Sequence, residues 1–138
     1  MRARFETRLV KATVFRAASI ERLKDAQCLH DAGRFHGAIY LCGYALECEL
    51  KYRICRARRI ESMVELEAKR LGHRLAELLR LAGLANLILR NRELSVAFQA
   101  VNEGWSTEIR YSGIGRNRRD SEEFLKDSRA LLLWLRAA

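Results

Sequence analysis

The stretch from Gly33 to Arg58 constrains the fold more than any other part of the chain. It contains no proline and predicts one helix of about 24 residues, roughly 36 Å long at 1.5 Å per residue. Apolar or small residues occupy most of its circumference, which is typical of a helix at the centre of a bundle. One polar stripe interrupts this surface at helical spacing, formed by His36, Tyr40, Tyr44, Glu47 and Lys51. We expect this stripe to be either the solvated side of the helix or the lining of a cleft.

The segments on both sides of this stretch predict further helices. Apolar residues recur at helical spacing over 4–32, 72–83, 84–103 and 120–138, and the segment 63–70 predicts a short helical turn. Gly33 leaves only a short connection before the central helix, so the first two helices are expected to be antiparallel. The length of 138 residues suits a single domain over 1–138. The predicted fold is an all-α, up-and-down bundle of four or five helices.

The last two helices have a predicted cap and predicted core-facing residues. Asp120 is predicted to cap the last helix, with Glu123 completing a capping box, and Phe124, Leu131, Leu132 and Leu135 are expected to face the core. Leu87, Leu94, Phe98 and Val101 are expected inward on the helix before it.

Two polar positions leave alternatives open. His73 either forms a hydrogen bond at a helix start or orients a partner group. The alternative for Glu47 and Lys51 is an exposed ion pair of little energetic weight.

The charge balance favours anionic partners. The chain carries 26 basic and 17 acidic residues, a formal net charge of +9, and nucleic acid is the first class of partner that such a charge suggests. Only five of the basic residues are lysines, so a compositional bias towards arginine is the alternative explanation. The longest uncharged run, 35–46, is far shorter than the ~20 residues of a membrane span. The first residues also lack the apolar core of a signal peptide, and we expect a cytoplasmic protein without a membrane anchor.

The four cysteines predict neither a disulfide nor a metal site. Cys48 and Cys55 share a helix face but lie two turns apart, about 10 Å, which exceeds the Cα separation that a disulfide allows. No CxxC motif or Cys/His spacing typical of zinc is present. We expect buried, reduced thiols at all four positions, Cys28, Cys42, Cys48 and Cys55, and neither metal nor cofactor.

The stretch from Trp105 to Asp120 is the one loop-like part of the sequence. It combines forked guanidinium donors with aromatic faces, which suits a phosphate backbone and unstacked bases. The predicted nucleic-acid-binding residues are Arg110, Arg116, Arg118, Arg119 and Trp105, with Tyr111 beside them. The alternative is a solvated basic loop.

Three stretches in order along the chain resemble the HEPN family, small helical domains of prokaryotic defence and toxin–antitoxin systems. They are AIYLCGYALECELK at 38–51, GHRLAELLRLAGL at 72–84 and WSTEIRY at 105–111, followed by a final helix. The resemblance implies a helical bundle, a homodimer and a nucleotidyltransferase-type partner. The ribonuclease members of the family use an arginine, followed four to six residues later by a histidine, and cleave RNA without metal in a cleft of the dimer.

Arg110 matches the arginine of that motif, but residues 111–119 contain no histidine. We therefore expect a non-catalytic module that binds RNA or nucleotide and acts with a nucleotidyltransferase-type protein. One alternative is an atypical ribonuclease, in which Arg110 steadies the phosphate and Tyr111 or Glu47 moves protons. A third possibility is a dimerisation or scaffold protein whose interface is formed by Tyr40, Tyr44, Glu47, Lys51 and Trp105.

Overall fold

The computed structural model describes residues 8–105 and 116–138. This part of the chain forms two short strands and seven helices and confirms the all-α class: β1 Leu9–Lys11, α1 Ala12–Asp31, α2 Phe35–Ala57, β2 Ser62–Val64, α3 Glu65–Leu71, α4 Leu75–Leu81, α5 Ala85–Leu89, α6 Arg92–Gly104 and α7 Arg118–Ala137. None of these helices combines the length and the hydrophobicity that crossing a membrane requires.

Helix α2 is the central element, as its composition predicts. It packs against α1, α4 and α7, and α7 in turn packs against α6. Eight of its apolar residues are no more than 2% exposed: Ala38, Ile39, Cys42, Ala45, Leu46, Leu50, Ile54 and Cys55. Because neighbours cover α2 on several sides, three of its charged residues, Glu47, Glu49 and Lys51, are also buried. The alternative of an exposed Glu47–Lys51 pair is therefore wrong.

The ends of α1, α2 and α4 share one capping geometry. After α1, Gly33 has a φ of +78°, and the N–H groups of Gly33 and Arg34 donate to carbonyls in the last turn at 3.0 and 2.8 Å. This is a Schellman motif, in which glycine is favoured because L-residues rarely adopt positive φ. Gly83 has the same role after α4, with a φ of +75°. After α2 the same position is held by Arg59, with a φ of +55°.

The sequence prediction is wrong at the start of the first helix. Helix α1 begins at Ala12 rather than near residue 4, because residues 9–11 pair with 62–64 in an antiparallel ladder. The Ala12 N–H donates to the Glu61 carbonyl at 2.7 Å where the strand meets the helix. Three-residue strands carry too little periodicity to be recognised, and their pairing depends on a partner more than 50 residues away in the chain.

The segment predicted as one helix over 84–103 is two helices, α5 and α6. The Asn91 side chain accepts a hydrogen bond from the Leu94 N–H at 3.1 Å and so caps a new helix start. Leu87, predicted to be inward, is 46% exposed, because it belongs to the short α5 with its own orientation. Leu94 and Val101 are buried as predicted, and Phe98 packs partly buried against the core.

Helix α7 starts two residues before the predicted cap. Asn117, not Asp120, is the N-cap: its Oδ1 accepts from the Asp120 N–H at 2.8 Å, and the Asn117 N–H donates to Asp120 Oδ2 at 3.3 Å. Asp120 is thus the third residue of the helix in a reciprocal capping box. The four apolar residues of α7 predicted to face the core, Phe124, Leu131, Leu132 and Leu135, are buried.

Three of the four cysteines are buried as predicted, and all four are free thiols. The prediction is wrong for Cys28, which is exposed on α1. Burial raises the pKa of Cys42 and of Cys48 to about 11. Both thiols are therefore protonated near neutral pH, which excludes them as nucleophiles there.

Candidate nucleic-acid interface

Three of the predicted arginines surround the start of α7. Arg116 precedes the helix, Arg118 and Arg119 lie in its first turn, and all three are exposed. The capping box at Asn117 holds this turn in place. Arg119 Nε donates to Glu123 Oε1 at 3.1 Å in a solvent-exposed pair, which constrains it only weakly.

Arg118 connects this turn to the start of α2. Its guanidinium carbon lies 5.1 Å from the centre of the Phe35 ring, in cation–π geometry. Phe35 is the first residue of α2, so the N-terminal ends of α2 and α7 are neighbours. The arginines of α7 are thereby displayed beside a second helix start.

A cavity of about 460 Å³ lies at this junction. We call it the basic cavity; its lining residues are Leu29, Gly33, Arg34, Phe35, His36, Gly37 and Arg116. The lining thus contains two arginines and a histidine but no carboxylate. An anion entering the cavity would meet positive charge without a competing acidic group.

The start of α2 adds to this positive potential. Its N-cap residue is Arg34, whose side chain makes no capping hydrogen bond, and the first turn holds no acidic residue. The first N–H groups of a helix have no acceptor within the helix, and the helix dipole is positive at that end. A phosphate oxygen suits such N–H groups, because it supplies both the acceptor and the negative charge.

Arg116 also lines a second cavity, which has a different character. This smaller cavity, of about 140 Å³, is lined by Arg116 together with Asp120, Glu123 and Asp127. Burial raises the pKa of Asp127, Lys126 lowers it and Glu123 raises it further. Since carboxylates repel a phosphate backbone, an anionic chain is expected to approach Arg116 from the side of α2.

Trp105 does not belong to this interface. Its side chain is only 4% exposed, and its Nε1–H donates to the Tyr40 carbonyl at 3.0 Å. The ring lies where a side chain at position 43 would be: a Cβ added to Gly43 would be 2.2 Å from it. The prediction that Trp105 stacks on a base is wrong in this conformation, because the indole is a core group anchored to α2.

The polar stripe of α2 is mostly covered rather than open. Tyr40 and Tyr44 are half-buried, with ring centres 6.1 Å apart and ring planes tilted by 60°. Glu47 and Lys51 are 2% and 7% exposed, so they do not line an open cleft. The expectation that the stripe lines an open cleft is therefore wrong at its Glu47–Lys51 end.

The Glu47 carboxylate contacts two side chains, those of Lys51 and His73, and the sequence analysis left the role of His73 open. Lys51 Nζ donates to Glu47 Oε2 at 3.2 Å, and His73 Nδ1 lies 2.7 Å from Glu47 Oε1. Of the two alternatives for His73, the structure therefore favours contact with a partner group, the Glu47 carboxylate, over a hydrogen bond at a helix start. Its own side chain is 42% exposed, so the imidazole is the solvent-facing member of an otherwise buried cluster.

The structure thus brings together Arg116, Arg118 and Arg119 of the predicted set, while Arg110 and Tyr111 lie outside the described residues. Sequence reasoning missed Arg34, and it placed His36 only on the polar stripe. The sequence does contain a signal for Arg34: the central helix starts with an arginine at the cap position instead of Ser, Thr, Asp or Asn. Among the described residues, no three His, Cys, Asp or Glu side chains are grouped to hold a metal ion.

Comparison of this chain with protein-family models, with curated proteins and with solved structures gives no significant match.

Proposed function

We propose that the protein is a non-catalytic RNA-binding module of HEPN-like type, which binds single-stranded RNA where α2 and α7 begin. The observation that carries this proposal is the basic cavity, where Arg34, His36 and Arg116 meet the uncapped start of α2 without a carboxylate in the lining. Phosphate groups match both the guanidinium forks and the helix N–H groups.

The distribution of the arginines favours an extended anion over a small one. Arg118 and Arg119 are exposed and do not line the basic cavity, so a ligand confined to the cavity would leave them unused. A flexible chain of phosphates can follow the surface from the cavity to the first turn of α7. Single-stranded RNA supplies such a chain, and its unstacked bases can lie against guanidinium planes.

The homodimer and the nucleotidyltransferase-type partner stay predictions that rest on the HEPN resemblance. A toxin–antitoxin or defence setting belongs to the same prediction. Co-expression with a nucleotidyltransferase encoded next to this chain, followed by co-purification, tests the partner. Light scattering of the purified protein tests the dimer.

Exchanging all three arginines at the start of α7 for glutamine is expected to weaken RNA binding by about tenfold or more. The R116Q/R118Q/R119Q variant removes up to three phosphate contacts, and each contact contributes about 0.7 to the slope of log K against log salt for single strands. The slope is therefore expected to flatten by up to about two. Fluorescence anisotropy of a labelled single-stranded RNA, at salt concentrations from about 50 to 200 mM, measures both quantities.

The matched control is R74Q/R80Q/R90Q, which removes the same charge from three exposed arginines elsewhere. It is expected to retain nearly all the affinity of the unmodified protein. Equal losses in the two triple variants would mean that net charge alone attracts RNA. Absence of binding at the lowest salt concentration would overturn the proposal.

A second candidate function, a metal-independent ribonuclease, is favoured by one observation. His36 lines the basic cavity together with Arg34 and Arg116, so an imidazole lies beside two phosphate-binding groups. In that reaction the RNA 2′-OH attacks the adjacent phosphorus and gives its proton to the imidazole. The P–O5′ bond breaks, the leaving 5′-oxygen takes a proton from water, and a 2′,3′-cyclic phosphate remains.

Incubating the protein with labelled RNA in the presence of a chelator decides between the two candidates. The binding module is expected to leave the RNA intact over hours. The ribonuclease would produce 2′,3′-cyclic phosphate ends, and H36Q would lower the cleavage rate by about 10²-fold or more while RNA affinity stays within about threefold. Cleavage that H36Q leaves unchanged would contradict the assignment of His36.

A further inference from the structure

A larger cavity, of about 700 Å³, lies at the other end of α2. It is formed where the last turn of α2 meets the start of α1 and the strand pair, and we call it the hairpin cavity. Helix α2 has 23 residues, so this cavity is about 33 Å along the helix from the basic cavity. A ligand there would be separate from RNA bound at the start of α2.

Positive charge dominates the hairpin cavity. Lys11, Arg56 and Arg59 line it, against one carboxylate, that of Glu61. Within the described part of the chain, none of these three cations forms a salt bridge within 4.0 Å. The adjacent Arg58, by contrast, pairs with Glu67 at 3.1 Å. Three cations that converge on a concave site without acidic partners are suited to a ligand with more than one negative charge.

Arg59 occupies a position that favours glycine. It has the only positive φ among the non-glycine residues of the described chain, while Gly33 and Gly83 hold the equivalent positions after α1 and α4. Glycine would adopt this φ without the steric penalty that an L-residue meets there. An arginine therefore lines this cavity at a position where the local backbone favours glycine.

The remaining lining suits an organic group. Tyr52 supplies an aromatic wall, and Thr13 and Ser62 supply hydroxyl groups. The volume lies within the range of about 300–1,000 Å³ that is typical of small-molecule sites and exceeds the size of a phosphate pair alone. We propose that the hairpin cavity binds a small organic diphosphate, with its phosphates on Lys11, Arg56 and Arg59 and its organic part against Tyr52.

The competing explanation is that Arg56 and Arg59 only stabilise the carboxyl end of α2, where the helix dipole is negative. The variant R59G separates the two explanations. Glycine relieves the positive φ, so R59G is expected to fold with a melting temperature equal to or above that of the unmodified protein. Under the proposal, it nevertheless loses about tenfold or more in ligand affinity, because one of three phosphate contacts is gone.

Calorimetric titration with inorganic pyrophosphate, ADP and adenosine tests the proposal. Pyrophosphate and ADP are expected to bind with a Kd below about 1 mM, ADP more tightly, and adenosine not detectably. R116Q/R118Q/R119Q is expected to bind ADP like the unmodified protein, so this test is independent of RNA binding. Absence of pyrophosphate and ADP binding, unchanged affinity in R59G, or equal affinity for pyrophosphate and ADP would each overturn the proposal.

Discussion

Replacing Gly43 with alanine is expected to lower the free energy of unfolding by about 3 kcal/mol. An added Cβ would lie 2.2–2.3 Å from three atoms of the Trp105 indole, closer than carbon atoms approach in folded proteins. The ring cannot move aside without breaking the hydrogen bond from Nε1 to the Tyr40 carbonyl and exposing a buried indole. Alanine gains about 1 kcal/mol over glycine in helix propensity, but this gain is smaller than the packing loss.

Gly37 is the matched control, since it also lies inside α2. A Cβ there would meet only Leu29 Cδ1 at 3.3 Å, the far end of a flexible side chain. Gly37→Ala is therefore expected to leave stability unchanged or to raise it by up to about 1 kcal/mol. Urea denaturation followed by circular dichroism measures both variants. If Gly43→Ala is as stable as Gly37→Ala, Trp105 does not occupy the space beside Gly43.

The second large effect is expected at Glu49, which is fully buried in α2. Arg16 Nε lies 3.0 Å from its Oε1, and Arg136 Nε lies 3.2 Å from the same oxygen. Arg16 also stacks on the Tyr52 ring at 4.1 Å, and Arg136 donates to Ser19 Oγ at 3.4 Å. One carboxylate thus joins α1, α2 and α7 through two guanidinium groups.

Glu49→Gln keeps the shape of the side chain but removes its charge. It is expected to lower the free energy of unfolding by about 3 kcal/mol, since removing one member of a buried ion pair costs about 3–5 kcal/mol. The lower value applies because the two arginine side chains remain about 30% exposed and keep part of their hydration. Equilibrium urea unfolding of the purified variant gives the value.

Glu77→Gln is the control for this substitution. Glu77 pairs with Arg80 on the exposed face of α4, where solvent screens the interaction, so no detectable change in the unfolding midpoint is expected. A loss in Glu49→Gln no greater than that in Glu77→Gln would show that the buried network does not hold the three helices together.

The candidate interface could be predicted only in part. Arg116, Arg118 and Arg119 are recognisable from their density beside a helix start, and the structure displays them together at the N-terminus of α7. Arg34 and His36 are 80 residues or more from Arg116 in the chain, and only the packing of α7 on α2 makes them neighbours. Trp105 was misassigned because an aromatic residue next to arginines has the same sequence pattern whether it is stacked in the core or exposed.

The central position of α2, the core-facing side of α7 and the all-α class were determined by the sequence alone. Each depends on hydrophobic periodicity, a local property that repeats within one segment. Burial of Glu47, Glu49 and Lys51 and the pairing of β1 with β2 were decided by tertiary structure. In each case a distant segment supplies the partner or the cover, and the free energy of that contact outweighs the local preference of the residue.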